Sequence, residues 1–228
     1  GLALINLAET YHVLGEWEEA KTQIGQALAL YHDIGYQLYE AKAWARLGRI
    51  AHAAGNAVMA RSYLEHALHM AETAGLARVQ AEFQTDLGHV LLSLQHFAEA
   101  EQIYEQALAG WQQVGALQPI WRVQAGLAQL ALLQNQPVGA LTHVRAILAT
   151  LAGAPYNALH DPITVYWICY QTLAANQDAA AADLWHSGQA LLAHYAAQID
   201  DPRLRRTFLE QSTLGKTWAI DGYPVLPN

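Results

Sequence analysis

Residues 44–56 read WARLGRIAHAAGN. Trp44, Leu47, Ile50 and Ala51 recur at helical spacing and mark one apolar stripe. Gly48 stands in the middle of it, where glycine costs roughly 0.5–1 kcal/mol against alanine. A helix that keeps such a residue needs a compensating contact. Its reason shows forty residues away in either direction. One step forward reaches Gly88, one step back Ala8, two steps forward Ala128. The position is small every time.

Other positions recur at the same period. Leu7, Leu47, Leu87 and Leu127 form one column, and Ala20, Ala60, Ala100 and Ala140 another. Ala27, Ala67, Ala107 and Ile147 follow, then Leu28, Leu68, Leu108 and Leu148. A larger apolar column holds Ile24, Leu64, Tyr104 and Val144. Leu4, Leu7, Ala8 and Tyr11 share one face of a first helix; Ala20, Ile24, Ala27 and Leu28 share one face of a second. Gly15, Gly55 and Asn135 mark the turn between them, and Gly35, Gly75 and Gly115 close the second helix. The unit is an antiparallel helical hairpin repeated along the chain, so the fold class is all-α. Columns 8, 20 and 27 are where hairpins come closest. A missing side chain there lets backbones approach.

These columns resemble the tetratricopeptide repeat, whose pattern asks for Trp, Leu, Gly and Tyr, then Ala, a large apolar residue and Ala. The second copy supplies Trp44, Leu47, Gly48, Ala51, Ala60, Leu64 and Ala67. The first reads Leu4, Leu7, Ala8, Tyr11, Ala20, Ile24 and Ala27, and the third Gln84, Leu87, Gly88, Leu91, Ala100, Tyr104 and Ala107. The period of forty exceeds the usual thirty-four, so both helices gain about a turn, and the common proline near unit position 32 is absent. Forty-residue units look like those in the sensor regions of large bacterial signal-transduction ATPases and multidomain transcription activators. The resemblance implies a right-handed α-solenoid of about five antiparallel helix pairs with a terminal capping helix. Repeats are expected near 1–36, 37–76, 77–116, 117–153 and 161–199, a cap at 201–214 and an irregular tail at 215–228.

After residue 150 the period slips. In LAGAPYNALHDP, Asp161 and Pro162 predict a helix start, N-cap then first turn. Asn176 is expected in the turn of the fifth pair. Asp201 and Pro202 open a short helix with Leu204, Phe208 and Leu209 inward, as a solenoid needs over its last apolar face.

Composition narrows the partners. Of 228 residues, 53% are hydrophobic and only 14% charged, below the ~25% usual for soluble domains. Ala, Gln and His, or another protein, must therefore cover long surfaces. The net charge of −8 argues against nucleic acid and against an anionic membrane surface. No apolar run approaches the ~18 residues of a membrane span. The single cysteine, Cys169, excludes an internal disulfide and fits a reducing cytoplasm. The chain begins in a helical pattern without Met, and we expect a piece of a longer protein.

Candidate chemistry is sparse. EQSTLGKT imitates a phosphate loop, but Glu210 stands where the first glycine belongs and a helix precedes it rather than a strand. Eleven histidines include His66 and His69, three apart on one face, without a third ligand at fixed spacing. His12 and His52 share a column. Cys169 reads as a small core residue. No cofactor, metal or catalytic residue is expected.

In proteins of the resembling family, first-helix positions 2, 5, 6, 9, 12 and 13 line a concave groove. Here they give Asn6, Glu9 and His12; Lys42, Arg46, Arg49 and His52; Glu82, Thr85, Asp86 and His89; Arg122 and Gln129. One reading makes the second repeat a basic patch for a carboxylate or acidic peptide. The other pairs Lys42–Glu82, Arg46–Asp86 and Glu9–Arg49 across neighbouring repeats, each partly exposed pair worth about 0–1 kcal/mol. The expected function is a non-catalytic interaction or regulatory module binding a polypeptide, or other domains of a parent chain. A small-molecule effector sensor and an architectural or homo-oligomerising spacer are the alternatives.

Overall fold

The computed structural model describes residues 1–116, 118–151, 162–212 and 215–216. Its helices are α1 (Leu2–Leu14), α2 (Trp17–Asp33), α3 (Gln37–Ala53), α4 (Ala57–Thr73), α5 (Ala77–Ser93), α6 (Phe97–Gln113), α7 (Gln118–Leu133), α8 (Pro137–Leu151), α9 (Pro162–Ala175), α10 (Ala181–Ala197) and α11 (Pro202–Glu210). No strand occurs among the described residues. Each helix packs on the next. The first helices also touch one another (α3 on α5, α5 on α7, α7 on α9), and among the described residues no comparable contact joins successive second helices. The layer of first helices is therefore the tighter, inner side of the solenoid.

The glycine in the opening stretch has its compensation. A Cβ on Gly48 would lie 2.7 Å from Leu64 Cγ and 3.2 Å from the Ala60 carbonyl oxygen, both on α4. Ala8 and Ala128, its column mates, are fully buried, as are Ala20, Ala60, Ala100 and Ala140 and the column Ala27, Ala67, Ala107 and Ile147. Close packing along these three columns fastens each hairpin to itself and to its neighbour. Leu47, Leu87 and Leu127 are 8%, 4% and 9% exposed, but Leu7 is 42% exposed. Leu47 packs in one cluster with α1 and α2, whereas Leu7 lies about two turns away from the end of α1 that α11 meets at Leu14.

Hairpin turns share one geometry. Gly15 and Gly55 have φ of 84° and 86°, and Gln95, Asn135 and Gln177 take the same left-handed conformation at 60°, 59° and 57°. In the first turn the Gly15 amide donates to the His12 carbonyl and the Glu16 amide to the Tyr11 carbonyl, and the second and third turns repeat the pattern. These bonds satisfy the last carbonyls of each first helix. In the fifth pair Asn176 stands in the turn as expected, and Gln177 beside it takes the left-handed conformation. Asn176 donates its side-chain amide to the Pro137 and Thr172 carbonyls, both at 2.8 Å, tying the turn to α8. The expected link beyond Leu151 and the Asp161 cap lie outside the described residues, as does the tail beyond Lys216.

Asp201 caps α11, its carboxylate accepting from the Arg203 and Leu204 amides at 2.7 and 3.1 Å. Phe208 is buried in a cluster with Trp121, Ile163, Tyr166, Leu192 and Ala196, so α11 covers the last hairpin as expected of a cap. It also packs against α1, at the opposite end of the chain.

Candidate functional site

The inner layer carries a charge network built by α1, α3, α5 and α7. Arg46 and Arg49 lie one turn apart on α3, on the face turned to α1. Glu9 meets both, at 3.6 and 3.0 Å. Arg122 of α7 donates to Asp86 Oδ1 of α5 at 2.7 Å. Asp86 is buried, which opposes its ionisation; Arg122 and Arg49 overcome that and hold its carboxyl below the ordinary range. A buried carboxylate survives only with such partners.

Two histidines border it. His89 lies against Tyr104, whose hydroxyl oxygen is 2.7 Å from Nδ1. Burial disfavours the imidazolium and Arg122 repels it, so the His89 pKa is pushed down to about 3. Burial also lowers that of His52, against a smaller upward pull from Asp86. His52 Nε2 stands 2.6 Å from Ser93 Oγ. Both rings are neutral at pH 7, available as hydrogen-bonding groups rather than as cations.

Of the expected cross-repeat pairs, Glu9–Arg49 is present. Arg46 turns back to Glu9 rather than forward to Asp86, and Asp86 takes Arg122 from the following repeat. No ion pair joins Lys42 to Glu82 among the described residues. Arg46–Glu9 and Arg122–Asp86 run diagonally because a long guanidinium reaches one helical turn along its neighbour. Thr85, expected in the groove, is buried instead: its hydroxyl donates to the Ala81 carbonyl and accepts from Trp111 Nε1 at 3.1 Å. Asn6 is exposed, and Lys42, Glu82 and Gln129 are partly exposed on the same helices.

Tyr104 is the residue the groove positions do not predict. It belongs to the apolar column of the second helices, yet its ring fills the space over Gly88 and Gly126 and its hydroxyl reaches the inner network. The signal was a tyrosine in an aliphatic column with glycines at 88 and 126. Burial pushes its phenol well above the ordinary range, so it stays protonated.

The remaining candidates lie away from this network. Cys169 is buried and free, its thiol pushed up to about 12 by burial. His66 lies edge-on to Trp44, centroids 5.0 Å apart. No group of three metal-ligating side chains occurs among the described residues. In the phosphate-loop imitation, the Lys216 amine sits 4.8 Å from the Trp17 ring centroid. No helix among the described residues is long and apolar enough to cross a membrane.

Stacked hairpins with a tight inner layer define an α-solenoid of helical repeats. Three family models described as tetratricopeptide repeat match residues 1–73, 81–114 and 121–146, together more than half of the chain. The chain belongs to the tetratricopeptide-repeat family. No match was found among curated proteins. Among solved structures, the chain is similar to nearly identical TPR-like repeats from a Podosopora anserina protein assigned as a kinesin light chain. Identity is 18%, over 85% of this chain and 94% of that one, with a TM-score of 0.61. BtubC from P. vanneervenii matches at 18% identity over 86% and 81%, TM-score 0.65. The Rap conjugation gene regulator of plasmid pLS20, solved in complex with the Phr* peptide, matches at 12% over 92% and 63%, TM-score 0.73. These likenesses establish the fold.

Proposed function

We propose that the chain is a non-catalytic interaction or regulatory module that takes a polypeptide along the inner layer of α1, α3, α5 and α7. In this reading it serves a larger bacterial signalling protein in the cytoplasm. The observation that carries it is the pre-set polar floor: Arg46, Arg49 and Arg122 held by Glu9 and Asp86, with neutral His52 and His89 beside them. Ligand-binding side chains held in place before binding lose little freedom on association. Asn6, His12, Lys42, Glu82 and Gln129 supply the polar rim. The fold-level likeness to a regulator solved with a bound peptide supports the choice of ligand class.

Panning a random peptide library against the protein tests it. Enriched peptides should lose about tenfold in affinity, ~1.4 kcal/mol, to Lys42→Glu or Gln129→Arg. They should be indifferent to Glu105→Lys, an exposed change on the second helix α6. No enrichment, or enrichment blind to both inner-layer changes, overturns the reading.

The effector-sensing alternative has one candidate place, an open depression lined by Asn6, Glu9, Thr10, Val13 and Leu14, all on α1, which would cover a small molecule on one side alone. A metabolite screen by thermal shift decides between them, since a ligand at 100 times its Kd adds roughly 2.7 kcal/mol.

A further inference from the structure

The five hairpin turns are internal controls for one another, and one of them is different. Gly55, Gln95, Asn135 and Gln177 are exposed; Gly15 is buried. A Cβ on Gly55 would meet nothing within 4 Å, whereas on Gly15 it would lie 2.9 Å from the Ser212 amide nitrogen and 3.2 Å from the Gln211 carbonyl carbon. What covers the first turn is the C-terminal end of α11. Three further contacts lie on the same seam. Arg203 is ion-paired with Glu16. Leu14 packs against the cluster holding Phe208. The Lys216 amine faces the Trp17 ring at 4.8 Å.

A helix whose task is only to cover the last hairpin needs none of these. We propose that α11 is a clasp that joins the last hairpin to the first, with a closed and an open state, and that its state sets the position of α1 in the inner layer. The coupling is mechanical. Glu9, which holds Arg46 and Arg49, and Glu16, which holds Arg203, are seven residues apart on α1 and its turn, about 10 Å of helix rise. Closing the clasp fixes α1 against both. Opening it frees α1 to swing and loosens the Glu9 pairs. The consequence for partner binding rests on the inner-layer reading above; the clasp itself does not.

Spin labels at Thr22→Cys and Arg206→Cys, both exposed and outside the seam, report the gap in the full chain. Native Cys169 is buried and takes no label. The parent should show one dominant short distance with a minor longer one. Glu16→Arg, which reverses the charge facing Arg203 at a side chain only 15% exposed, should raise the open-to-closed ratio about fivefold. Glu16→Arg combined with Arg203→Glu should restore it. Leu14→Asp should shift it more than tenfold. Hydrogen exchange should quicken in α1 and α11 with each opening variant and stay unchanged in α4–α6. An open distance in the parent overturns the clasp, as does a single short distance with unaltered α1 exchange in both Glu16→Arg and Leu14→Asp. Neither measurement uses a ligand, so failure here leaves the polypeptide reading intact, and an empty library screen leaves the clasp intact.

Discussion

Gly48 and Gly25 are both mid-helix glycines, and their surroundings predict opposite results. Alanine gains about 1 kcal/mol of helix propensity at either place. At Gly25 a Cβ meets nothing within 4 Å, so Gly25→Ala should stabilise by about 0.5–1 kcal/mol. At Gly48 the added methyl drives into Leu64 and the Ala60 carbonyl, and overpacking costs about 1–3 kcal/mol. Gly48→Ala should therefore destabilise by about 1 kcal/mol in urea unfolding. His89 carries a pH prediction. Its folded pKa of about 3 lies below its ordinary 6.5, so the unfolded chain binds a proton that the native state refuses. Stability attributable to His89 is full above pH 6.5 and falls by about 1.4 kcal/mol per pH unit down to about 3. Asp86, depressed by its arginines, adds a loss as pH falls through its own lower folded pKa. His89→Gln should remove the first contribution and leave the second, read from urea unfolding at a series of pH values. The histidine was visible in the sequence as a groove residue. Its neutrality was not, because that follows from Arg122 and from burial under neighbouring helices.

At the scale of the element, the hairpin is nearly self-specifying. Apolar spacing, a left-handed turn residue and small columns all lie within one forty-residue unit, so periodicity reads them directly. The turn offers its own check. Gln95 holds φ at 60°, where a residue with a Cβ pays about 1–2 kcal/mol and glycine does not. Gln95→Gly should raise stability by about 1 kcal/mol by thermal denaturation. Asn135→Gly should gain less, since asparagine tolerates this region. The fifth turn shows where element-level reading stops. Asn176 stands in the turn, as its residue type predicts, but its amide also reaches the Pro137 carbonyl of α8, a contact with another repeat that no local pattern encodes.

Across the whole molecule, a repeat array ordinarily ties each unit only to its neighbours. Its ends then open independently, and terminal helices exchange fastest. The α1–α11 seam changes that expectation. Amides of α1 and α11 should show similar opening free energies in native-state hydrogen exchange, and Arg203→Glu should lower both together. Independent exchange at the two ends would mean the seam carries no free energy.

The amino-acid sequence by itself determined the hairpin, its forty-residue period, the family and the burial of the small columns. All of these rest on contacts within a unit or to the adjacent one, which a column of equivalent residues displays. The tertiary structure alone decided which arginine meets which carboxylate, that Tyr104 enters the inner layer, and that Arg203 finds Glu16 187 residues away. Those outcomes depend on the stagger between neighbouring first helices and on rotation accumulated over five hairpins. Each is a sum of small angles set by side-chain packing, and no single position in the chain carries it.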